Sequence, residues 1–290
     1  MDLACFSEQI SDSDPVAIVG QATRGGAIGD ARRVTAPTGI DWLKPDEMTA
    51  SCAAGTSVQE LSDALANVGQ FVALPPGGTV GGALAVGHSG IRRLGDGPIR
   101  DVLLQARYVS SHGRIVKAGG PTVKNVSGFD LCRLLVGSRG TIGFLGDVIL
   151  RTRPLARATQ WFVKASVAPE AELAGIYRPV SMLWNGATLW VLLEGHPADV
   201  HEQARRCGLT ECGGPPVLPI GRSSVRPSQV THLQGTFVAE VGVGIVHGAT
   251  PSEAAADSQL VARQATVALL TQRVKHQFDP TGRLNPGVGV

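Results

Sequence analysis

Three clusters of glycines contain the residues of this chain whose types and spacing are best suited to chemistry. The clusters are VGQATRGGAIG (Val19–Gly29), PPGGTVGGALAVGHSG (Pro75–Gly90) and VGSRGTIGFLG (Val136–Gly146). Glycine lets backbone N–H groups approach a phosphate or an aromatic ring closely, because no Cβ stands in the way. Tight turns at strand ends would explain any one cluster, but three clusters favour a long, charged ligand held by several loops.

Few polar side chains in the sequence are suited to catalysis. Arg92 and Arg93 follow the second cluster, and an arginine fork can bind a carboxylate or neutralise a reduced cofactor, although an ordinary surface pair explains them equally well. His232 and His247 are isolated in the sequence, and we expect them to be structural because no carboxylate partner is visible nearby. The sequence therefore offers candidates for a cation but none for a catalytic base.

Several classes of function are excluded by missing motifs and by composition. No GxxxxGK[ST] motif is present, no GxGxxG opens a helix after a strand, and GHSGI lacks the last glycine of a nucleophile elbow. The five cysteines are scattered, so we expect no metal site, iron–sulfur cluster or disulfide framework. A net charge of +2 without charge blocks argues against nucleic acid as a partner. No run of about 18 apolar residues predicts a transmembrane segment, and we expect a cytoplasmic protein.

The elements between the clusters alternate between strands and helices, which predicts an α+β fold. Residues 16–19 are an apolar strand, and the capping box from Ser57 to Glu60 begins a helix that ends before Gly69. Residues 102–109 and 114–116 are typical of a hairpin. Asp130 is placed to cap a short helix.

The second half of the sequence predicts a small α+β domain. Residues 188–193 and 237–246 are expected to form strands, and residues 198–207 a helix. A second capping box, from Thr250 to Glu253, predicts a long helix to about Gln277. We therefore expect a cofactor domain over residues 1–154, a small substrate or cap-like domain over 155–277, and a C-terminal loop over 278–290 that returns to the first domain.

The second domain resembles one known family only weakly, chiefly through ATLWVLLEG, but four other segments of the sequence resemble it more closely. They are VAIVGQATRGG, GTVGGALAVGHSGIRRLGDGPIRDVLL, VKNVSGFDLCRLLVGSRGTIGFLGDVILRTRP and FDPTGRLNPG. In order and spacing they are similar to the FAD-binding E subunits of bacterial glycolate oxidases. These belong to the FAD-linked oxidases, whose flavin domain is named after p-cresol methylhydroxylase and vanillyl-alcohol oxidase. The resemblance implies a two-part FAD-binding domain, with FAD lying extended across the glycine-rich loops.

Carried onto this chain, the resemblance implies three loops around one FAD. Arg24 would supply charge to a phosphate, Ser138 would donate its hydroxyl, and Ile142 would offer main-chain bonds to the nucleotide. His88 is the only histidine placed for covalent flavin attachment, but its position differs from that of the attachment histidine in related oxidases, so we expect non-covalent FAD. The expected cofactor-binding residues are Gly20, Gln21, Ala22, Thr23, Arg24, Gly77, Gly78, Thr79, Gly81, Gly82, Gly87, His88, Ser89, Gly90, Arg92, Lys124, Gly137, Ser138, Gly140, Thr141, Ile142 and Gly143.

The function that the resemblance implies is that of an FAD-dependent oxidoreductase subunit. We expect the chain to act in a glycolate oxidase-like 2-hydroxy-acid dehydrogenase complex with a catalytic flavin subunit and an iron–sulfur subunit, through which it would associate with any membrane. A stand-alone flavin oxidase or dehydrogenase of a small hydroxy acid is the first alternative. A non-enzymatic scaffold is the second, since Gln21 and Ala22 stand where many relatives have glycine.

Overall fold

The computed structural model describes residues 2–11, 13–23, 30–121, 130–248 and 258–288, and for residues 258–265 it describes the backbone only. The chain divides into two compact units. The first unit comprises Met1–Gly90, Pro98–Leu155 and Ala262–Val290. The second comprises Ile91–Gly97 and Ala156–Val261. A short segment that precedes residue 98 therefore belongs to the second unit.

Both units contain helices and strands, which are numbered in chain order. The helices are α1 (Ala4–Ile10), α2 (Val58–Ala66), α3 (Val80–Val86), α4 (Arg93–Asp96), α5 (Leu131–Leu135), α6 (Pro169–Gly175), α7 (Pro197–Arg206) and α8 (Ser258–Phe278). The strands are β1 (Val16–Ile18), β2 (Arg32–Val34), β3 (Ile40–Lys44), β4 (Thr49–Ala53), β5 (Gln70–Phe71), β6 (Leu103–Val109), β7 (Ile115–Gly119), β8 (Phe144–Arg151), β9 (Arg153–Pro154), β10 (Ala158–Ala165), β11 (Ser181–Trp184), β12 (Thr188–Gly195), β13 (Thr210–Cys212), β14 (Arg222–Ser224), β15 (Val238–Glu240) and β16 (Ile245–His247). Short 3-10 helices lie at Pro45–Glu47, Ile99–Asp101 and Pro227–His232.

The first unit is built on an antiparallel sheet with strand order β3-β4-β8-β6-β7. The central strand β8 is buried along nearly its whole length. Apolar residues of α2, α3 and α5, including Leu61 and Leu84, share one core cluster with Val148 of β8. Phe144, also on β8, belongs to a second cluster with Phe6 of α1. Each fully buried side chain of this size stabilises the unit by about 1.5–3 kcal/mol, so both clusters fix the position of β8.

Two small two-stranded sheets accompany the main sheet of the first unit, and one of them contacts the C-terminal segment. Strand β1 pairs with β2 in parallel, and Val16 at the start of β1 also forms a parallel bridge with Leu284. Strand β5 pairs with β9 in antiparallel orientation. The C-terminal segment is therefore held against β1, and this contact brings residues that are far apart in sequence to one place.

The second unit is an antiparallel sheet of seven strands, in the order β13-β10-β12-β11-β15-β16-β14. Its core cluster joins Val191 of β12, Ala239 of β15 and Val200 of α7. Helix α4 packs on β11, where the amide of Gly95 donates to the carbonyl of Val180 at 3.1 Å. Both units mix helices with antiparallel sheet, so the predicted α+β class is confirmed.

Most of the predicted elements are present, with Ser57 capping α2 by accepting from the Glu60 amide at 3.0 Å. The prediction of a single strand over residues 237–246 is wrong. The segment forms β15 and β16, with a reversal at Gly242 and Gly244 whose φ angles are +76° and +78°. The capping box predicted at residues 250–253 lies outside the described residues.

Candidate functional site

The first unit contains a cavity of about 350 Å³. Its walls come from six segments that are distant in sequence: β1 with the loop after it, the loop after β2, the loop after β4, helix α3 with its cap, the stretch from the end of α5 to the start of β8, and the C-terminal segment. A volume of this size falls in the usual range for a small-molecule site, which is roughly 300–1,000 Å³. Among the described lining residues there is no acidic side chain, and Arg139 is the only charged one.

The structure brings ten of the predicted cofactor-binding residues together in the cavity wall. They come from all three glycine clusters and are Gly20, Gln21, Ala22, Thr23, Thr79, Gly81, Gly82, Ser138, Gly140 and Gly143.

Other predicted residues lie outside the lining, and their assignment to the cofactor remains a prediction. They are Gly77, Gly78, Gly87, His88, Ser89, Gly90, Arg92, Gly137, Thr141 and Ile142. Thr141 and Ile142 are buried, and the Ser89 hydroxyl accepts from the amide of Ile99 at 3.0 Å. Arg24 and Lys124 lie outside the described residues.

The first glycine cluster forms one wall of the cavity, and several of its backbone amides are available to a ligand. Within the described residues, the amides of Gly20, Gln21 and Ala22 have no hydrogen-bond acceptor. A Cβ added to Gly20 would lie 3.1 Å from Oγ1 of Thr79, so this loop and the start of α3 approach each other closely. Unpaired amides at a cavity surface are suited to an anionic ligand.

The second cluster contributes differently, because its amides are already used within the protein. Thr79 caps α3 by accepting from the amide of Gly82 at 3.1 Å. The amides of Val80 and Gly81 donate to the carbonyls of Thr56 and Ala54, at 2.9 and 2.7 Å. A Cβ on Gly81 would lie 2.8 Å from the Cβ of Ala54. Glycine is therefore needed here to let α3 pack against the end of β4, and its amide is occupied.

The third cluster is also held by its own hydrogen bonds. The hydroxyl of Ser138 donates to the carbonyl of Leu135 at 2.8 Å, and Thr141 Oγ1 donates to the carbonyl of Ser138 at 2.7 Å. Gly140 has φ +72°, and a Cβ there would lie 2.6 Å from the Nδ2 atom of Asn285. These glycines are required because the loop, the sheet and the C-terminal segment meet at short range.

Asn285 and Arg139 are among the lining residues that were not predicted from the sequence. The Asn285 side chain accepts from the Ile18 amide at 2.9 Å and donates to the Arg139 carbonyl at 2.6 Å. Its own amide donates to the carbonyl of Val16 at 2.9 Å. Asn285 thus connects β1 with the third glycine loop. The only signal for it was the conspicuous FDPTGRLNPG segment, from which no single residue could be selected.

The C-terminal segment is held in place by the buried, charged side chain of Arg283. Arg283 is 4% exposed, and its guanidinium donates to the carbonyls of Ile10 and Ser111 at 2.6 and 2.8 Å. Asp279 accepts from the amides of Arg283 and Leu284 at 3.1 and 2.8 Å. These bonds hold Asn285 at the cavity wall.

In the second unit, Arg92 is engaged by two carboxylates. Its Nε lies 2.8 Å from Asp96 Oδ2, and its NH1 lies 2.8 Å from Glu194 Oε1. Burial opposes the charge of Arg92, but the hydrogen bonds to Glu194 and Asp96 outweigh burial and raise the pKa of the guanidinium. The pairing gives Arg92 a structural role within the second unit.

The expectation that His247 has no carboxylate partner is wrong. Its Nε2 lies 3.0 Å from Oε1 of Glu240, a residue that is 2% exposed and whose Oε2 has no hydrogen-bond partner within the described part of the chain. Arg222 lies directly opposite His247 in the β14–β16 pair. Burial lowers the pKa of Arg222, Glu240 raises it, and the charge of Arg93 lowers it. The fold creates this cluster, because Glu240 and His247 are seven positions apart in the sequence and a hairpin brings them together.

Comparison with known proteins identifies the class of the first unit. Residues 16–119 match the FAD binding domain family, and this match supports the predicted cofactor, FAD. Structurally, the chain is similar to an alkyldihydroxyacetonephosphate synthase, with a TM-score of 0.66 at 13% identity over 94% of this chain and 72% of that one. This likeness supports the fold alone, and it agrees with the predicted two-part flavin fold.

The relatives found by sequence similarity indicate a narrower class of protein than the structural neighbour does. The chain is 30% identical to the glycolate oxidase subunit GlcE of Escherichia coli over 223 residues, which are 72% of this chain and 64% of that subunit. It is 38% identical to a D-lactate dehydrogenase of Archaeoglobus fulgidus over 115 residues, 39% of this chain and 26% of that enzyme. A glycolate oxidase subunit GlcD of Bacillus subtilis is 32% identical over 116 residues, 39% of this chain and 25% of that subunit. The chain thus spans less than two thirds of the length of each, and the resemblance to glycolate oxidase subunits is confirmed.

Within the described residues, we find no helix of the length and apolar character needed to span a membrane.

Proposed function

We propose that this chain binds one FAD non-covalently in the cavity of its first unit and acts as an E-type subunit of a glycolate oxidase-like complex. One observation carries the proposal. Similarity to GlcE extends over 223 residues and so continues into the second unit, whereas similarity to the D-lactate dehydrogenase covers 115 residues. The second unit of this chain is therefore more closely comparable to that of an E subunit.

The residues of the cavity suit FAD, which is long, carries a doubly charged diphosphate in its middle and has an apolar ring system at one end. The open amides of Gly20, Gln21 and Ala22 would bind the diphosphate. Ala85, Val86 and other small or apolar side chains line the cavity and would suit the apolar ring system. When bound, FAD supplies a two-electron acceptor for oxidation of a substrate. The protein provides binding, orientation and exclusion of water.

The partners follow from the same comparison and are part of the proposal. An E-type subunit would work with a catalytic flavin subunit and an iron–sulfur subunit. The described cysteines of this chain are dispersed and form no disulfide, and they offer no iron–sulfur relay. Electrons would therefore leave through another subunit. We place the complex in the cytoplasm, with any membrane contact made by the partners.

A stand-alone hydroxy-acid oxidase is the second candidate, and the pair formed by His247 and Glu240 favours it. Oxidation of a hydroxy acid needs a base for the hydroxyl proton and a cation for the carboxylate. His247, oriented by Glu240, has the chemistry of a base, and Arg222 on the neighbouring strand has the chemistry of the cation.

Two measurements distinguish the candidates. Native mass analysis of the tagged chain, isolated from its own host, should show a hetero-oligomer with two further subunits. Anaerobic addition of glycolate or D-lactate to the isolated yellow chain should leave its colour unchanged. Bleaching of the isolated chain, abolished by His247→Asn, would contradict the subunit proposal and support the second candidate. A chain that is colourless after incubation with FAD and removal of the unbound flavin would refute both and leave the scaffold alternative.

A further inference from the structure

Arg139 is the one charged side chain among the described residues that line the cavity. The residue is exposed, so its guanidinium remains accessible to a ligand. No ion pair of Arg139 occurs within the described residues. Nearby Arg133 differs, because it lies 3.0 Å from Asp101 and 3.3 Å from Asp130.

The backbone of Arg139 is fixed in a conformation that side chains seldom adopt. Its φ is +52°, in the left-handed region. Its amide donates to the carbonyl of Ala85 at 2.7 Å, and its carbonyl accepts from Asn285 Nδ2 at 2.6 Å. Glycine would satisfy this backbone better than arginine does. The presence of arginine here therefore calls for a role of the side chain.

We propose that Arg139 binds the diphosphate of FAD. This inference rests on the proposed function and adds a cofactor-binding residue to it. The diphosphate carries two negative charges, the described wall has no carboxylate to compete for the guanidinium, and arginine binds phosphate oxygens through two parallel N–H donors. The same guanidinium chemistry would also suit a substrate carboxylate, and the experiment separates the two ligands.

The most informative variant is Arg139→Gly. It removes the guanidinium and relieves the left-handed backbone, so thermal stability should be equal to or higher than that of the wild-type chain. Binding of FAD should nevertheless weaken by about 10–100-fold, which is the range for loss of a charge-assisted hydrogen bond. Arg139→Lys should recover part of the affinity, because lysine keeps the charge and loses the bidentate geometry. Opposite effects on stability and binding cannot arise from a purely structural role.

The test uses the full chain freed of flavin and titrated with FAD, ADP and riboflavin, followed by fluorescence or calorimetry. Arg139→Gly should weaken FAD and ADP alike and change riboflavin, which lacks phosphate, by less than about twofold. The control is Arg133→Ala, since glycine at this position would destabilise helix α5. Arg133→Ala removes an exposed, ion-paired arginine and should leave the affinities for FAD, ADP and riboflavin unchanged.

Three outcomes would overturn the inference. Unchanged FAD and ADP affinity in Arg139→Gly would show that the guanidinium does not contact the diphosphate. Unchanged FAD affinity together with loss of glycolate binding to the FAD-loaded chain, followed by calorimetry, would assign Arg139 to a substrate carboxylate. Failure of the wild-type chain to bind FAD at all would refute the proposed function itself, and is recognised before any variant is compared.

Discussion

At the scale of single residues, Asn285 joins two walls of the cavity through both ends of its amide. The side chain meets Ile18 and Arg139, and the residue itself has φ +45°, which asparagine tolerates better than most residues. Since Asn285 is 7% exposed, removal of its amide leaves the part-buried Ile18 amide and the Arg139 carbonyl without these partners.

We therefore predict that Asn285→Ala lowers the free energy of unfolding by about 1–3 kcal/mol and reduces the flavin content of the purified chain. Chemical denaturation and absorbance at the flavin bands measure the two effects. Asn67→Ala, at an exposed position outside the cavity wall, is the control and should change neither. Full flavin content in Asn285→Ala would show that this connection is dispensable for the site.

The glycines of the wall should separate into two kinds on substitution. Gly140→Ala places a Cβ against Asn285 Nδ2 in a left-handed backbone, so it should lower both stability and flavin content. Gly82→Ala meets only Oγ1 of Thr79, at 2.9 Å, and its backbone is helical. It should therefore remain folded while losing flavin.

Melting temperature and flavin content, measured on the same preparations, test this difference. Gly175→Ala, where a Cβ would meet nothing within 4 Å, should behave as the wild-type chain. Full flavin content in both Gly140→Ala and Gly82→Ala would show that these glycines serve only as turns and packing positions.

At the scale of elements, β4 and α5 each place a cysteine in the core of the first unit. Burial, with smaller contributions from Asp147 and Glu60, raises the pKa of the Cys52 thiol to about 12. Burial and the charge of Asp130 raise the pKa of Cys132 to about 11, against a small opposing effect of a backbone hydrogen bond. Both thiols are therefore neutral in the folded chain well above the pH at which an unfolded cysteine ionises, which is about 8.5.

The sign of the resulting pH dependence follows from linkage. Above pH of about 9 the unfolded chain loses thiol protons that the folded chain retains, so stability falls as pH rises toward 11–12. We predict that Cys52→Ala makes the unfolding free energy less dependent on pH between 9 and 11, as followed by urea denaturation at a series of pH values. The exposed Cys5 supplies the control, since Cys5→Ala should leave that slope unchanged.

Elements were predictable where a local signal defined them. Ser57 and Glu60 determine the start of α2, and Gly113 the turn between β6 and β7, where its φ is +66°. Helix α3 was missed because Gly81 and Gly82 have low helix propensity. Its helical backbone is maintained by the Thr79 cap and by packing on Ala54, neither of which the local sequence reveals.

At the scale of the whole molecule, the sequence indicated which segments form the site but not how they meet. The glycine clusters supplied three of the walls, whereas the contribution of Asn285 depends on a bridge between Val16 and Leu284 across almost the entire chain. The pair of Glu240 and His247 likewise depends on a hairpin that the sequence pattern represented as one strand. Long-range contacts of this kind leave no periodic signal in the residues that make them.

The central claim is that the first unit holds one FAD without a covalent bond. The most direct measurement is the amount of flavin per chain in purified native protein reconstituted with excess FAD, before and after precipitation with acid. We predict one FAD per chain before precipitation and all of it in the supernatant afterwards. Flavin that stays with the acid pellet, or a chain that holds no FAD after reconstitution, would contradict the account.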